Sequence, residues 1–194
     1  MEDLATILYT AGDIRQRVGD LGAAISTDYR GREPILISIL KGGAVFHADL
    51  LRAIGVKARV DFMSISSYGA GASGVVRIMK DLDEDIGGED VIVVEDIVDT
   101  GLTLTYLMST LQARDPASIE VCALLDKSAR RITPLDIRYG GFDCPDRFVV
   151  GYGLDYAQRY RNLPFIMAVD DMEALAEDPM ILAPLLDVAG DPYR

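Results

Sequence analysis

Tryptophan is absent from this 194-residue chain, histidine occurs once and cysteine twice. Cys122 and Cys144 stand in no C-x-x-C pair, so neither a disulfide framework nor a thiolate zinc site is suggested, and two reduced thiols are expected. His47 has no second His or Cys near it in the sequence, which leaves a metal role little support. No apolar run approaches the ~18 residues that cross a bilayer, and the start, Met-Glu-Asp-Leu-Ala-Thr, has no basic segment ahead of an apolar stretch. Neither secretion nor a spanning helix is expected, which places the protein in the cytoplasm. Positive charge is short as well: 19 Lys and Arg stand against 31 Asp and Glu, a net charge of −12. Such a surface repels phosphate backbones and anionic headgroups, so neither nucleic acid nor membrane is expected as a partner. Any phosphate that binds here binds at a local site.

Common nucleotide and hydrolase signatures are missing too. There is no G-x-x-x-x-G-K-[ST] for a nucleoside triphosphate, no G-x-G-x-x-G opening a helix for a dinucleotide, and no G-x-S-x-G nucleophile elbow. The ATPase, dehydrogenase and hydrolase readings weaken accordingly.

What is present is ordinary globular material, 49% apolar and 26% charged, in a length that suits one domain over 1–194. Ile14, Val18, Leu21 and Ile25 lie at helical spacing within 13–29, with Thr10 and Asp13 as capping residues. Residues 35–40 (Ile-Leu-Ile-Ser-Ile-Leu) read as a strand buried on both faces, followed by Lys41-Gly42-Gly43 and helical spacing over 44–54. Strands are expected at 58–65, 75–82, 89–95, 119–125, 147–151 and 165–169, and a helix over 103–114. Strands alternating with helices predict an α/β domain with a mainly parallel sheet. Residues 66–76, small and polar, read as a mobile loop. Half of the net negative charge falls in 170–194, where Leu175, Ile181, Leu182, Leu185 and Leu186 make the segment too apolar to hang free. A helical, acidic extension over 171–194 is expected to pack on the domain or a partner subunit.

The chemistry concentrates in Val91-Ile92-Val93-Val94-Glu95-Asp96-Ile97-Val98-Asp99-Thr100-Gly101-Leu102-Thr103. Open parallel sheets bind ligands beyond the carboxyl ends of their strands, where this segment must lie. The backbone N–H groups of 99–103, the Thr hydroxyls and the positive helix end make an anion cradle suited to a monophosphate. The neighbouring carboxylates suit what accompanies such a phosphate, ribose hydroxyls and Mg²⁺.

This segment resembles the phosphoribosyl-pyrophosphate (PRPP) signature of type I phosphoribosyltransferases. The rest of the chain, over about 10–170, resembles their hypoxanthine-guanine branch. It carries in order Leu40-Lys41-Gly42-Gly43, Phe46-His47-Ala48-Asp49-Leu50, Ser67-Tyr68-Gly69, the PRPP signature, Leu124-Leu125-Asp126-Lys127 with Arg130-Arg131, and Phe148-Val149-Val150-Gly151-Tyr152-Gly153-Leu154-Asp155-Tyr156. The resemblance implies the type I phosphoribosyltransferase fold, a mainly parallel twisted sheet flanked by helices with a small hood built from the terminal segments.

It also implies a Mg²⁺-dependent transfer of phosphoribose from PRPP to a 6-oxopurine in a homodimer or homotetramer. By the same resemblance Glu95 and Asp96 hold the ribose hydroxyls, directly or through Mg²⁺. Asp99 is the general base near purine N7, and Asp99, Thr100, Gly101, Leu102 and Thr103 hold the 5′-phosphate. Leu40, Lys41 and Gly42, with a cis peptide at Leu40–Lys41, form the pyrophosphate loop with Arg161 as a further cation. Lys127 donates to the purine 6-oxo group, Phe148 stacks on the base, Val149 reads its 2-position edge through the backbone, and Asp155 is a second Mg²⁺ contact. Ser67 and Tyr68 belong to a lid over the reacting centre. Two departures stand out: Leu102 occupies a position that many relatives fill with a polar or basic residue, and 170–194 has no counterpart. The alternatives are a xanthine-preferring transferase and a PRPP- or nucleotide-sensing regulator on the same fold.

Overall fold

The computed structural model describes residues 4–68 and 75–185. These fall into two compact units, one made of the described residues between 18 and 145 and the other of the terminal segments 4–17 and 146–185.

The larger unit is built on a six-stranded sheet. In chain order its strands are β2 (Ile35–Leu40), β3 (Arg59–Tyr68), β4 (Val75–Lys80), β5 (Asp90–Val98), β6 (Ser118–Asp126) and β7 (Tyr139–Asp143). In space they run β4-β3-β2-β5-β6-β7, all parallel except β4, which is antiparallel to β3. The parallel α/β expectation therefore holds. The strands are apolar on both faces, as a sheet covered on both sides requires: Val91 to Val94 of β5 are each fully buried. Ile35, Ile37 and Ile39 of β2 and Val91 and Val93 of β5 share one core with Leu104, Leu107 and Leu111 of α3 (Leu102–Gln112). Helix α2 (Ala44–Ala53) packs on β2 and β5. Gly22 of α1 (Ala11–Asp28) lies against the backbone at Ala53, where a Cβ would come within 2.6 Å of the carbonyl oxygen. The start of α1 is the expected capping box: the Thr10 amide donates to Asp13 at 2.9 Å and the Asp13 amide to Thr10 Oγ1 at 3.2 Å.

In the terminal unit, β1 (Ala5–Tyr9) and β8 (Phe148–Val150) flank β9 (Ile166–Val169), both antiparallel. Val150, Tyr160, Leu163, Met167 and Val169 pack with Leu175 and Leu182 beyond β9. Leu175 lies on α4 (Met172–Glu177), which Asp171 caps by accepting from the Ala174 amide at 2.8 Å. The described part of the acidic segment is thus anchored by its leucines, and 186–194 lie outside the described residues.

Three expectations need correction. Strand β5 runs past the expected end at Glu95 to Val98, so Asp96, Ile97 and Val98 belong to the strand too, held by pairing of Ile97 with Leu125 and of Val98 with Asp126. Residues 66–68 and 75–76 are not loop: the β3–β4 ladder pairs Ser66 with Arg77, Ser67 with Val76 and Tyr68 with Val75. Backbone pairing continues there because it does not depend on side-chain size. Residues 69–74 lie outside the described residues. Finally, β1 and β7 are additional strands. The Tyr-Gly-Gly-Phe-Asp of β7 looks like a turn, yet Gly141 is required because a Cβ there would overlap the Leu124 carbonyl of β6.

Candidate active site

The parallel strands send their carboxyl ends to one edge of the sheet, and register decides what meets there. Ser38 of β2 is level with Val94 of β5, so the segment after Leu40 emerges beside Glu95 and Asp96. The peptide Leu40–Lys41 is cis. Gly42 follows, so close to Asp96 that a Cβ would overlap its carboxylate. The segment expected to meet pyrophosphate and the acidic pair expected to meet ribose are therefore in contact, with Lys41 exposed.

A cavity of about 200 Å³ opens at the end of β5, lined by Ile39, Ile65, Glu95, Ile97, Val98, Asp99, Thr100, Gly101, Thr103 and Leu104. Glu95 is 9% exposed. Burial, and next the negative charge of Asp96, push its carboxyl well above the usual range. A carboxylate placed so is stabilised by a cation or by hydroxyl donors. Among the described residues no group of three or more His, Cys, Asp or Glu side chains is arranged to hold a metal.

Beyond Val98 the chain turns through Asp99 and Thr100 to Gly101, which has φ +84° and precedes the first residue of α3. Only glycine takes that conformation readily, and a Cβ would also lie 2.9 Å from Thr133 Oγ1. Gly101 itself brings no capping side chain; the Leu102 amide donates to Thr100 Oγ1 at 3.4 Å, and the amides that follow in the first turn face the site where an anion would sit. Leu102 is exposed and adds no polar group, so the cradle is backbone and threonine alone. Asp99 Oδ1 lies 3.3 Å from Arg130 Nε, a pair the sequence analysis did not foresee.

Lys127 follows β6, its amide donating to the Val98 carbonyl at 2.9 Å, so the residue is tied to the end of β5. It is 5% exposed, and its ammonium carries three donors that suit a carbonyl acceptor. The backing of the loop by 131–133 is also new: the Ile132 amide donates to the Thr100 carbonyl at 2.9 Å. Nothing in the spacing of these residues signals it.

In the terminal unit, Phe148 is 39% exposed, its ring edge-on to Tyr156 with centroids 5.9 Å apart. Val149 is buried and pairs with Ala168. Asp155 and Arg161, each expected to meet a ligand, hold one another at 2.6 Å. Asp155 also accepts from the Gln158 amide at 2.7 Å, and Arg161 donates to the Gly153 carbonyl at 2.6 Å. Ser67 and Tyr68 end β3, and the rest of the lid expectation lies outside the described residues. His47 is buried within α2 on Phe62, with ring centroids 5.1 Å apart and no partner for either nitrogen among the described residues. Both cysteines are buried and free.

Comparison with known proteins agrees with this geometry. The phosphoribosyl transferase domain model matches residues 5–157. The hypoxanthine-guanine phosphoribosyltransferase of Mycobacterium avium is 49% identical over 176 residues, 87% of each chain. The hypoxanthine phosphoribosyltransferase of Salmonella typhimurium is 46% identical over 170 residues, 86% of this chain and 96% of that one. Among solved structures, a hypoxanthine phosphoribosyltransferase from Staphylococcus aureus superposes with a TM-score of 0.83 at 43% identity, covering 87% of this chain and 92% of that one. With a matching family model over most of its length, relatives near half identity and the same fold, the chain belongs to the phosphoribosyl transferase domain family.

Proposed function

We propose that this protein transfers the 5-phosphoribosyl group of PRPP to hypoxanthine, guanine or both, giving the nucleoside 5′-monophosphate and pyrophosphate in purine salvage. The observation that carries the reading is the cavity at the end of β5, which Glu95 lines together with Asp99, Thr100, Gly101 and Thr103 of the turn into α3.

In this reading the open amides and hydroxyls of 99–103 take the 5′-phosphate, and Glu95 and Asp96 face the ribose hydroxyls. The bond from C1′ to pyrophosphate oxygen breaks as N9 of the purine bonds to C1′. Asp99 accepts the proton that the purine loses, and Arg130 beside it steadies the carboxylate. Lys127 donates to the 6-oxo oxygen, a contact that a base with an amino group at that position cannot accept. Lys41 and Gly42 receive the leaving pyrophosphate, glycine admitting close backbone approach and lysine supplying charge.

Two adjacent carboxylates, one of them buried, fit a Mg²⁺ site of the kind that substrate oxygens complete. Glu95 and Asp96 would hold the ion. When bound, it neutralises charge on PRPP and its leaving group. A homodimer or homotetramer in the cytoplasm is part of the same proposal. Pyrophosphate release, measured with hypoxanthine, guanine, xanthine and uracil in turn, tests it. Release with hypoxanthine or guanine is expected. Preference for xanthine would move the assignment to that base, and no release with any base would leave a nucleotide-sensing role.

A further inference from the structure

Arg131 stands directly behind the loop that carries Gly101. Its Cδ lies where a Cβ on Gly101 would come within 3.1 Å. Asp126, the last residue of β6, pairs with its Nη2, and its side chain is 15% exposed. Nε and Nη1 are buried with no hydrogen-bond partner among the described residues. The two following residues hold the same loop: the Ile132 and Thr133 amides donate to the Thr100 carbonyl at 2.9 and 3.5 Å. Thr133 Oγ1 is 3.0 Å from Thr105 Oγ1 in the first turn of α3.

A guanidinium is costly to bury with donors unmet, and one carboxylate satisfies only part of its fork. That cost is offset when an anion settles on the other side of the loop. We propose that Arg131 is a positioning residue for phosphate binding. Fixed by Asp126, it sets the path of Thr100 and Gly101 and keeps a positive charge behind the amides that receive the 5′-phosphate. It acts through the loop and makes no contact with the purine. The inference rests on the reading of 99–103 as the 5′-phosphate site.

The test compares calorimetric affinities for guanosine 5′-monophosphate and guanosine, whose ratio isolates the phosphate's share. In Arg131→Met this ratio should fall at least tenfold, while guanosine affinity stays within twofold of the unsubstituted protein. Arg131→Lys should recover part of the loss. A ratio within twofold of the unsubstituted protein, or equal weakening of both ligands, would overturn the proposal, the latter because it marks a merely structural role. Should Arg131→Met fail to fold, Asp126→Asn frees the guanidinium without removing it. A threefold or larger fall in its ratio is then expected, and no fall overturns the proposal. Amide shifts of Gly101, Leu102 and Thr103 in the unsubstituted protein separate the two readings. If they move with the monophosphate and not with guanosine, the phosphate site stands and only the role of Arg131 is at issue; if they do not, the phosphate site itself falls.

Discussion

Gly42 and Asp96, 54 positions apart in the sequence, share one contact in which a methyl group on the glycine would overlap the carboxylate. The segment after β2 and the acidic pair of β5 are thereby one mechanical unit. Gly42→Ala should push Asp96 off its position. A fall in kcat/KM for PRPP of roughly 10²-fold is expected, with the circular dichroism spectrum unchanged. Activity within twofold of wild type would show that the loop moves away without cost.

Asp99→Asn keeps the side-chain shape and removes the proton acceptor. It should lower kcat by roughly 10–10³-fold while PRPP affinity changes little. A mutant as fast as the parent would take the general-base role from Asp99.

Lys127→Met should weaken the use of hypoxanthine and guanine by ~2 kcal/mol or more in kcat/KM, because the 6-oxo oxygen loses a charged donor in a buried place. Adenine should lose its relative disadvantage. Equal losses for all bases would make Lys127 structural.

Glu95 is expected to trade stability for function. Its folded-state pKa lies above the ordinary 4.5 because of burial and the charge of Asp96. The folded form therefore favours the protonated acid, and its contribution to stability is fully present below pH 4.5 and lost as pH rises through the folded pKa. Glu95→Gln stays neutral and should stabilise the ligand-free protein at pH 8 by about 1–2 kcal/mol in urea unfolding, with little gain at pH 4. PRPP affinity should fall in the same variant. Equal stability of the two proteins at pH 8 would contradict the buried charge.

His47 works in the opposite direction. Burial lowers its pKa from 6.5 to about 4, and it is 1% exposed. Above pH 6.5 the ring is neutral folded or unfolded, so it costs nothing there. As pH falls from 6.5 towards 4 the unfolded chain takes up a proton that the folded chain refuses, and stability is lost. The loss reaches at most about 3 kcal/mol. His47→Leu should flatten the stability profile across that window, and an unchanged slope would show that the acid sensitivity lies elsewhere.

Much of this protein could be read along the chain because the signals are local. The parallel sheet follows from β-branched runs such as 35–40 and 91–94, which can be buried on both faces and nowhere else. The tight turn from β5 into α3 follows from Gly101 next to a strand end, since a left-handed glycine needs no distant help. The capping box at Thr10 and Asp13 is three residues long in its reach. Tertiary structure decided whatever depends on register and close approach. Strand pairing, and not hydropathy, carried β5 past Glu95 through Asp96 to Val98. Asp61, a charged residue in the middle of β3, is buried because the amides of Phe62, Asp83 and Glu84 converge on it, two of them from more than twenty residues away. Gly42 against Asp96, Gly141 against Leu124 and Arg131 behind Gly101 are likewise distances between segments that the sequence keeps apart. Local composition states what a segment prefers, but only the packed sheet fixes which atoms must share space.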